Sequence, residues 1–105
     1  EVMCVLCFDT KMRIVALHKA SEGALSSAIV HPREIFKSAI LNNAASIITS
    51  HNHPSYVSNP SQEDLDVTRR ISEAGAILGV ELLDHLIVTP TEHYSIKTNH
   101  PRLFV

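Results

Sequence analysis

The sequence predicts an α/β domain, a single sheet with helices packed against it. Three observations carry that expectation. Short apolar runs rich in strand formers alternate along the chain with two stretches of helical period. The chain has 105 residues, enough for one core but not two. Hydrophobic residues make up 45% and charged residues 19%, the balance of a folded chain rather than a disordered one.

Val2 to Phe8 is an unbroken apolar run and predicts a first strand buried on both faces. Asp9-Thr10-Lys11 reads as a turn and Arg13 to Leu17 as a second strand, so the two form a hairpin. Residues 19–30 are small and polar, and predict a loop containing a short strand. Pro32, a residue favoured at the first helical position, opens a helix to about Asn43 with Ile35, Phe36, Ala39 and Ile40 on its apolar face. Ser46-Ile47-Ile48-Thr49 predicts a strand that stops where the histidines begin. Asn52 to Ser61, with two prolines and several serines, has loop chemistry. A second helix follows over Gln62–Leu78, with Val67, Ile71, Ala74 and Leu78 recurring at helical spacing and Gly79 as its terminating glycine. Glu81 to Thr89 predicts another buried strand, and His93 to Lys97 a last edge strand.

Charge and composition exclude several functions. Lys and Arg number 9 against 11 Asp and Glu, a formal net charge of −2, whereas a dedicated phosphate-backbone binder should be basic. Thr68-Arg69-Arg70, with Arg33 and Lys37, is too sparse for a nucleic-acid patch and reads as solvated helix surface. No apolar run approaches the ~20 residues that span a bilayer, and no signal peptide opens the chain, so a cytoplasmic protein is expected. Cys4 and Cys7 form a C-x-x-C, but positions three apart on a strand point to opposite faces, so both are expected as small buried hydrophobes. The chain opens on Glu1 rather than Met, and is expected to be a piece of something longer.

The chemistry concentrates between His51 and Asp64. His51 and His53 are two apart at a strand end, so both imidazoles point to one side. Two such rings can grip one zinc ion, and Asp64, in the first turn of the next helix, can bring a carboxylate to it. Two His and one carboxylate leave a fourth position for water, the arrangement of a catalytic rather than a structural zinc. Ser61-x-x-Asp64 is equally a helix-capping pattern, and one first turn can serve both purposes.

His51-x-His53-Pro54, with Ser61 and Asp64 downstream, resembles the JAMM motif of the JAB1/MPN metallopeptidases. His51-Asn52-His53-Pro54-Ser55, Thr68-Arg69-Arg70, Leu83-Asp84-His85-Leu86-Ile87-Val88, Pro32-Arg33-Glu34-Ile35-Phe36 and Phe8-Asp9-Thr10 are similar to the RadC family within that group, across nearly the whole chain. The resemblance implies a mixed β-sheet flanked by helices, a single domain over residues 1–105, one Zn2+, and hydrolysis of a peptide or isopeptide bond in a peptide or protein substrate. RadC proteins usually carry a helix-hairpin-helix-like region ahead of this domain, and these residues do not include one.

The same resemblance places a glutamate at the start of the first strand, where Glu1 stands, as the general base. Glu22 and Glu34 are the alternatives. Ser61 would donate a hydrogen bond to the tetrahedral oxyanion. The chain departs from the family at Tyr56, where RadC proteins have glycine; Tyr56 is expected to be exposed at the rim of the metal cleft. His85, mid-strand beside Asp84, is either a core histidine or a partner to a ligand. His18, His31, His93 and His100 lack partner spacing and read as surface or turn residues.

Besides the zinc hydrolase, the resemblance admits a non-catalytic JAB1/MPN-like binding module associated with DNA repair. The presence of all five motif residues favours the hydrolase. A zinc nucleobase deaminase would need H-x-E followed by P-C-x-x-C, and neither occurs. Nor does the H-E-x-x-H zincin pattern.

Overall fold

The computed structural model describes residues 1–23 and 30–105. Its strands are β1 (Val2–Phe8), β2 (Ile14–Glu22), β3 (Ser46–Asn52), β4 (Glu81–Val88) and β5 (His93–Ser95). They form one mixed sheet in the order β2-β1-β3-β4-β5. β1 is antiparallel to β2 and β3, β3 and β4 are parallel, and β5 is antiparallel to β4. A parallel pair needs a crossover, and α2 (Gln62–Leu78) supplies it. Helix α1 (Pro32–Leu41) precedes β3, and a short α3 (Ile96–Asn99) and a 3-10 turn follow β5.

Strand alternation turns Met3, Val5 and Cys7 of β1 and Ile47 of β3 toward one side of the sheet, where they meet Ile35, Phe36 and Ala39 of α1 and Val67 and Ile71 of α2. Both long helices therefore share one face, and the domain has two layers. Burial of Phe36 alone is worth about 1.5–3 kcal/mol. On the opposite face Val2, Cys4 and Leu6 are only half-buried, while Ile14 and Leu17 of β2 are exposed. The apolar run of β1 is thus not covered on both sides as predicted. Cys4 and Cys7 do fall on opposite faces as free thiols, with Cys7 buried and Cys4 half-buried.

Several boundaries differ from the sequence expectation, each for a tertiary reason. β2 runs on to Glu22 because the start of β1 offers it partners, pairing Cys4 with Lys19 and Val2 with Glu22 around a bulge. The remainder of the predicted 19–30 loop, residues 24–29, lies outside the described residues. β3 does not stop where the histidines begin: Met3 pairs with His51 on one side and Val88 with Asn52 on the other. Helix α1 ends at Leu41, and Asn43 turns the chain with a φ of 53°, leaving Ile40 exposed. In α2, Gly75 rather than Leu78 extends the buried face; Gly79, at φ 75°, then ends the helix. β5 keeps three residues because the Ser95 hydroxyl accepts the Thr98 N–H and caps α3. Among the described residues no helix is long and apolar enough to cross a membrane.

Candidate metal centre

Where β3 runs out into the loop before α2, the ligand atoms of His51, His53 and Asp64 come within 4.8 Å of one another. Each arrives by a different route. His51 lies on the helix-covered face of β3 beside Met3, and is 1% exposed. His53 follows the strand, its backbone N–H still held by the Val88 carbonyl at 3.0 Å. Asp64 is the third residue of α2 and is buried at 2% exposure.

Asp64 is held by a capping box. Its Oδ2 accepts the Ser61 backbone N–H at 2.8 Å, and its own N–H donates to the Ser61 Oγ at 3.1 Å. The two alternatives posed by the sequence, cap and ligand candidate, therefore coincide in one residue. Burial alone would raise the Asp64 carboxyl, but the His51 ring and the Ser61 backbone N–H hold it well below the usual carboxylate range. It is an anion facing two imidazoles.

The imidazole protons can be assigned from their partners. His53 Nδ1 lies 3.0 Å from the Val57 carbonyl, which can only accept, so Nδ1 carries the proton of the neutral ring. Nε2 then presents a lone pair to Asp64 Oδ2 at 3.0 Å. Two lone pairs at that distance repel unless a proton or a metal ion stands between them. His51 Nε2 lies 3.3 Å from Asp64 Oδ1 and, although buried, has no hydrogen-bond partner. Ligand atoms about 2.0–2.1 Å from a tetrahedral zinc lie about 3.3 Å apart. The donor set suits a metal ion, and the two separations from Asp64, 3.3 and 3.0 Å, are close to that value.

Behind His51 stands His85, fully buried on β4, with its Nε2 2.8 Å from His51 Nδ1. A bulge at Leu83 turns Leu82 and His85 to the same face although they are three residues apart. Burial first, and then the neighbouring His51, push the His85 imidazole down to about 3, so it is neutral near pH 7. On its far side His85 Nδ1 lies 2.6 Å from Thr68 Oγ1. Both readings of His85 hold: it is a core histidine and it contacts a candidate ligand. Thr68 is a correction, being 0% exposed rather than solvated, while Arg69 and Arg70 beside it are exposed. The overlooked signal is spacing, since Thr68 is one helical turn beyond Asp64 and shares its face.

The remaining candidates take these places. Glu1 is exposed, but its carbonyl accepts the Gly23 N–H and the next N–H, of Val2, donates to Asn52 Oδ1 at 2.7 Å. These bonds fix it at the end of the sheet that carries His53. Glu22 pairs with Lys19 on the face away from the helices, and Glu34 is exposed on α1. Ser61 is exposed at the N-cap, its oxygen used as an acceptor. Tyr56 is 66% exposed in the loop whose Val57 carbonyl holds His53. That loop is anchored from β5's side by Glu92, whose Oε1 accepts the buried Ser58 N–H at 2.9 Å. His31 and His93 are exposed, as expected, whereas half-buried His18 donates from Nε2 to the Glu34 carbonyl and half-buried His100 meets the Tyr94 hydroxyl.

Fold and site together define an α/β domain with a two-histidine, one-carboxylate group at the end of a parallel strand pair. The family model for the RadC-like JAB domain matches residues 1–101, and the chain belongs to that family. It is 44% identical over 97 residues to a UPF0758 protein of Clostridium perfringens, covering 92% of this chain and 43% of that one. A UPF0758 protein of Syntrophomonas wolfei is 50% identical over 93 residues, covering 89% and 40%. One from Methanosarcina barkeri is 45% identical over 97 residues, covering 92% and 42%. The chain spans about two fifths of the length of these relatives.

Proposed function

We propose that this domain is a zinc-dependent hydrolase of peptide or isopeptide bonds, with His51, His53 and Asp64 holding the ion. The observation that supports this most is the convergence of two imidazole Nε2 atoms on one buried carboxylate, with the Nδ1 of each ring engaged elsewhere. Zinc bound there would supply Lewis acidity toward a scissile carbonyl and lower the pKa of water.

The chain's own groups would do the rest. Strand alternation continued from Met3 would direct the Glu1 carboxylate toward the helix-covered face, the side on which His51 lies. From there Glu1 would take a proton from the attacking water and return it to the leaving amine. The Ser61 oxygen accepts in the capping box, so its hydroxyl proton is available to a carbonyl oxygen that gains negative charge. A cleft lined by Asn52, His53, Pro54, Val88, Thr89 and Pro90 borders His53 and offers an extended substrate a place to lie.

Elemental analysis of the purified domain tests the reading. We expect zinc near one equivalent per chain, lost in His53→Ala. A folded, unsubstituted domain that takes up no zinc would sink the hydrolase and favour the non-catalytic binding module.

A further inference from the structure

Four groups form an unbroken chain of short contacts behind the candidate centre. His51 Nδ1 is 2.8 Å from His85 Nε2, His85 Nδ1 is 2.6 Å from Thr68 Oγ1, and Thr68 Oγ1 is 2.7 Å from the Asp64 carbonyl oxygen. His51, His85 and Thr68 are at most 1% exposed, so water does not compete for these bonds. The proton count can be solved from one end. A carbonyl oxygen has no proton to give, so the single Thr68 hydroxyl proton goes to Asp64. Thr68 Oγ1 must then accept from His85, which places the His85 proton on Nδ1. His85 Nε2 is left as an acceptor and takes the Nδ1 proton of His51. In the neutral His51 ring the lone pair is then on Nε2, the buried atom without a hydrogen-bond partner, 3.3 Å from the Asp64 carboxylate.

We infer that Thr68 and His85 are positioning residues that fix the tautomer of His51, so that its Nε2 is presented to the metal as a lone pair. The inference rests on the zinc reading above and deepens it. With the chain reversed, the hydroxyl would donate to His85 and a proton would sit on His51 Nε2, blocking the ligand position. The Asp64 carbonyl opposes that reversal. Asp64 therefore acts twice on one centre, its side chain facing both imidazoles and its main chain anchoring the bonds that aim one of them.

Thr68→Val keeps the shape of the side chain and removes the acceptor, whereas Thr68→Ser keeps the hydroxyl. We expect Thr68→Val to weaken zinc binding about 10–100-fold in competition with a chromophoric chelator, the range typical of lost outer partners. Thr68→Ser should restore the affinity, and the unfolding midpoint of the metal-free Ser variant should match that of the parent. Nitrogen-15 imidazole spectra of the unsubstituted, metal-free protein should show His51 and His85 both protonated at Nδ1. Absence of the Nδ1 proton from either ring overturns the inference even if Thr68→Val fails to fold. So does a folded Thr68→Val that binds zinc as tightly as the parent. A parent that binds no zinc overturns the hydrolase instead, and the spectra still decide the tautomers.

Discussion

Asp64 and Glu1 are the two carboxylates that the proposed mechanism uses, and their surroundings differ. Asp64 is buried, capped and kept ionised, as a ligand requires, whereas Glu1 is exposed and lies outside the compact ligand group. Asp64→Asn should therefore lose zinc affinity, while Glu1→Gln should keep zinc and abolish turnover. Unchanged turnover in Glu1→Gln would remove Glu1 as the base. Tyr56 makes a third case. Exposed on the ligand-bearing loop, it can stack on a substrate or hydrogen-bond through its hydroxyl. Tyr56→Gly should shift KM or selectivity with zinc content unchanged, and loss of metal in that variant would instead show that the loop needs the tyrosine to hold its shape.

Among the elements, α2 carries Asp64 and Thr68 and has little room to change. A Cβ built on Gly75 would sit 2.3 Å from the Val80 carbonyl oxygen and 3.1 Å from the Phe36 ring. The ring can yield, but the carbonyl belongs to the turn leading into β4. Gly75→Ala gains about 1 kcal/mol of helix propensity and meets overpacking of about 1–3 kcal/mol. Urea denaturation should show a net loss of up to about 2 kcal/mol, and a stabilised variant would mean that the turn relaxes freely. How far the elements could be read depended on where their partners lie. The helix cap and terminating glycine of α2 are local signals, and both were legible. Sequence alone ends β3 where the histidines begin because its last residues are polar, and the strands on either side keep His51 and Asn52 extended. The second half of β2, expected as a short strand within a loop, is continuous with the first half for the same reason. The three candidate ligands were visible because they share a short segment, but the partners of His85 lie 34 and 17 residues away and no spacing announces them.

For the whole molecule, a ligand that binds only the folded state raises stability by mass action. Zinc at a hundredfold excess over its Kd should add about 2.7 kcal/mol. In a domain of this size each kcal/mol is worth about 4–8 °C, so the thermal midpoint should rise by roughly 10–20 °C and fall back with a chelator. His53→Ala should show no such rise; an equal shift in that variant would place the zinc elsewhere. The distribution of the site along the chain has a further consequence. The residues that face one another at the centre all fall between His51 and Asp64, on one strand, its loop and one helix start, whereas His85 lies on β4 and Glu1 just ahead of β1. Metal capture is therefore portable and its use is not. Grafted onto another parallel strand–helix unit, that segment would bring its three ligands along, but at an affinity about 10–100-fold lower for want of the aiming of His51, and without the carboxylate proposed as proton carrier.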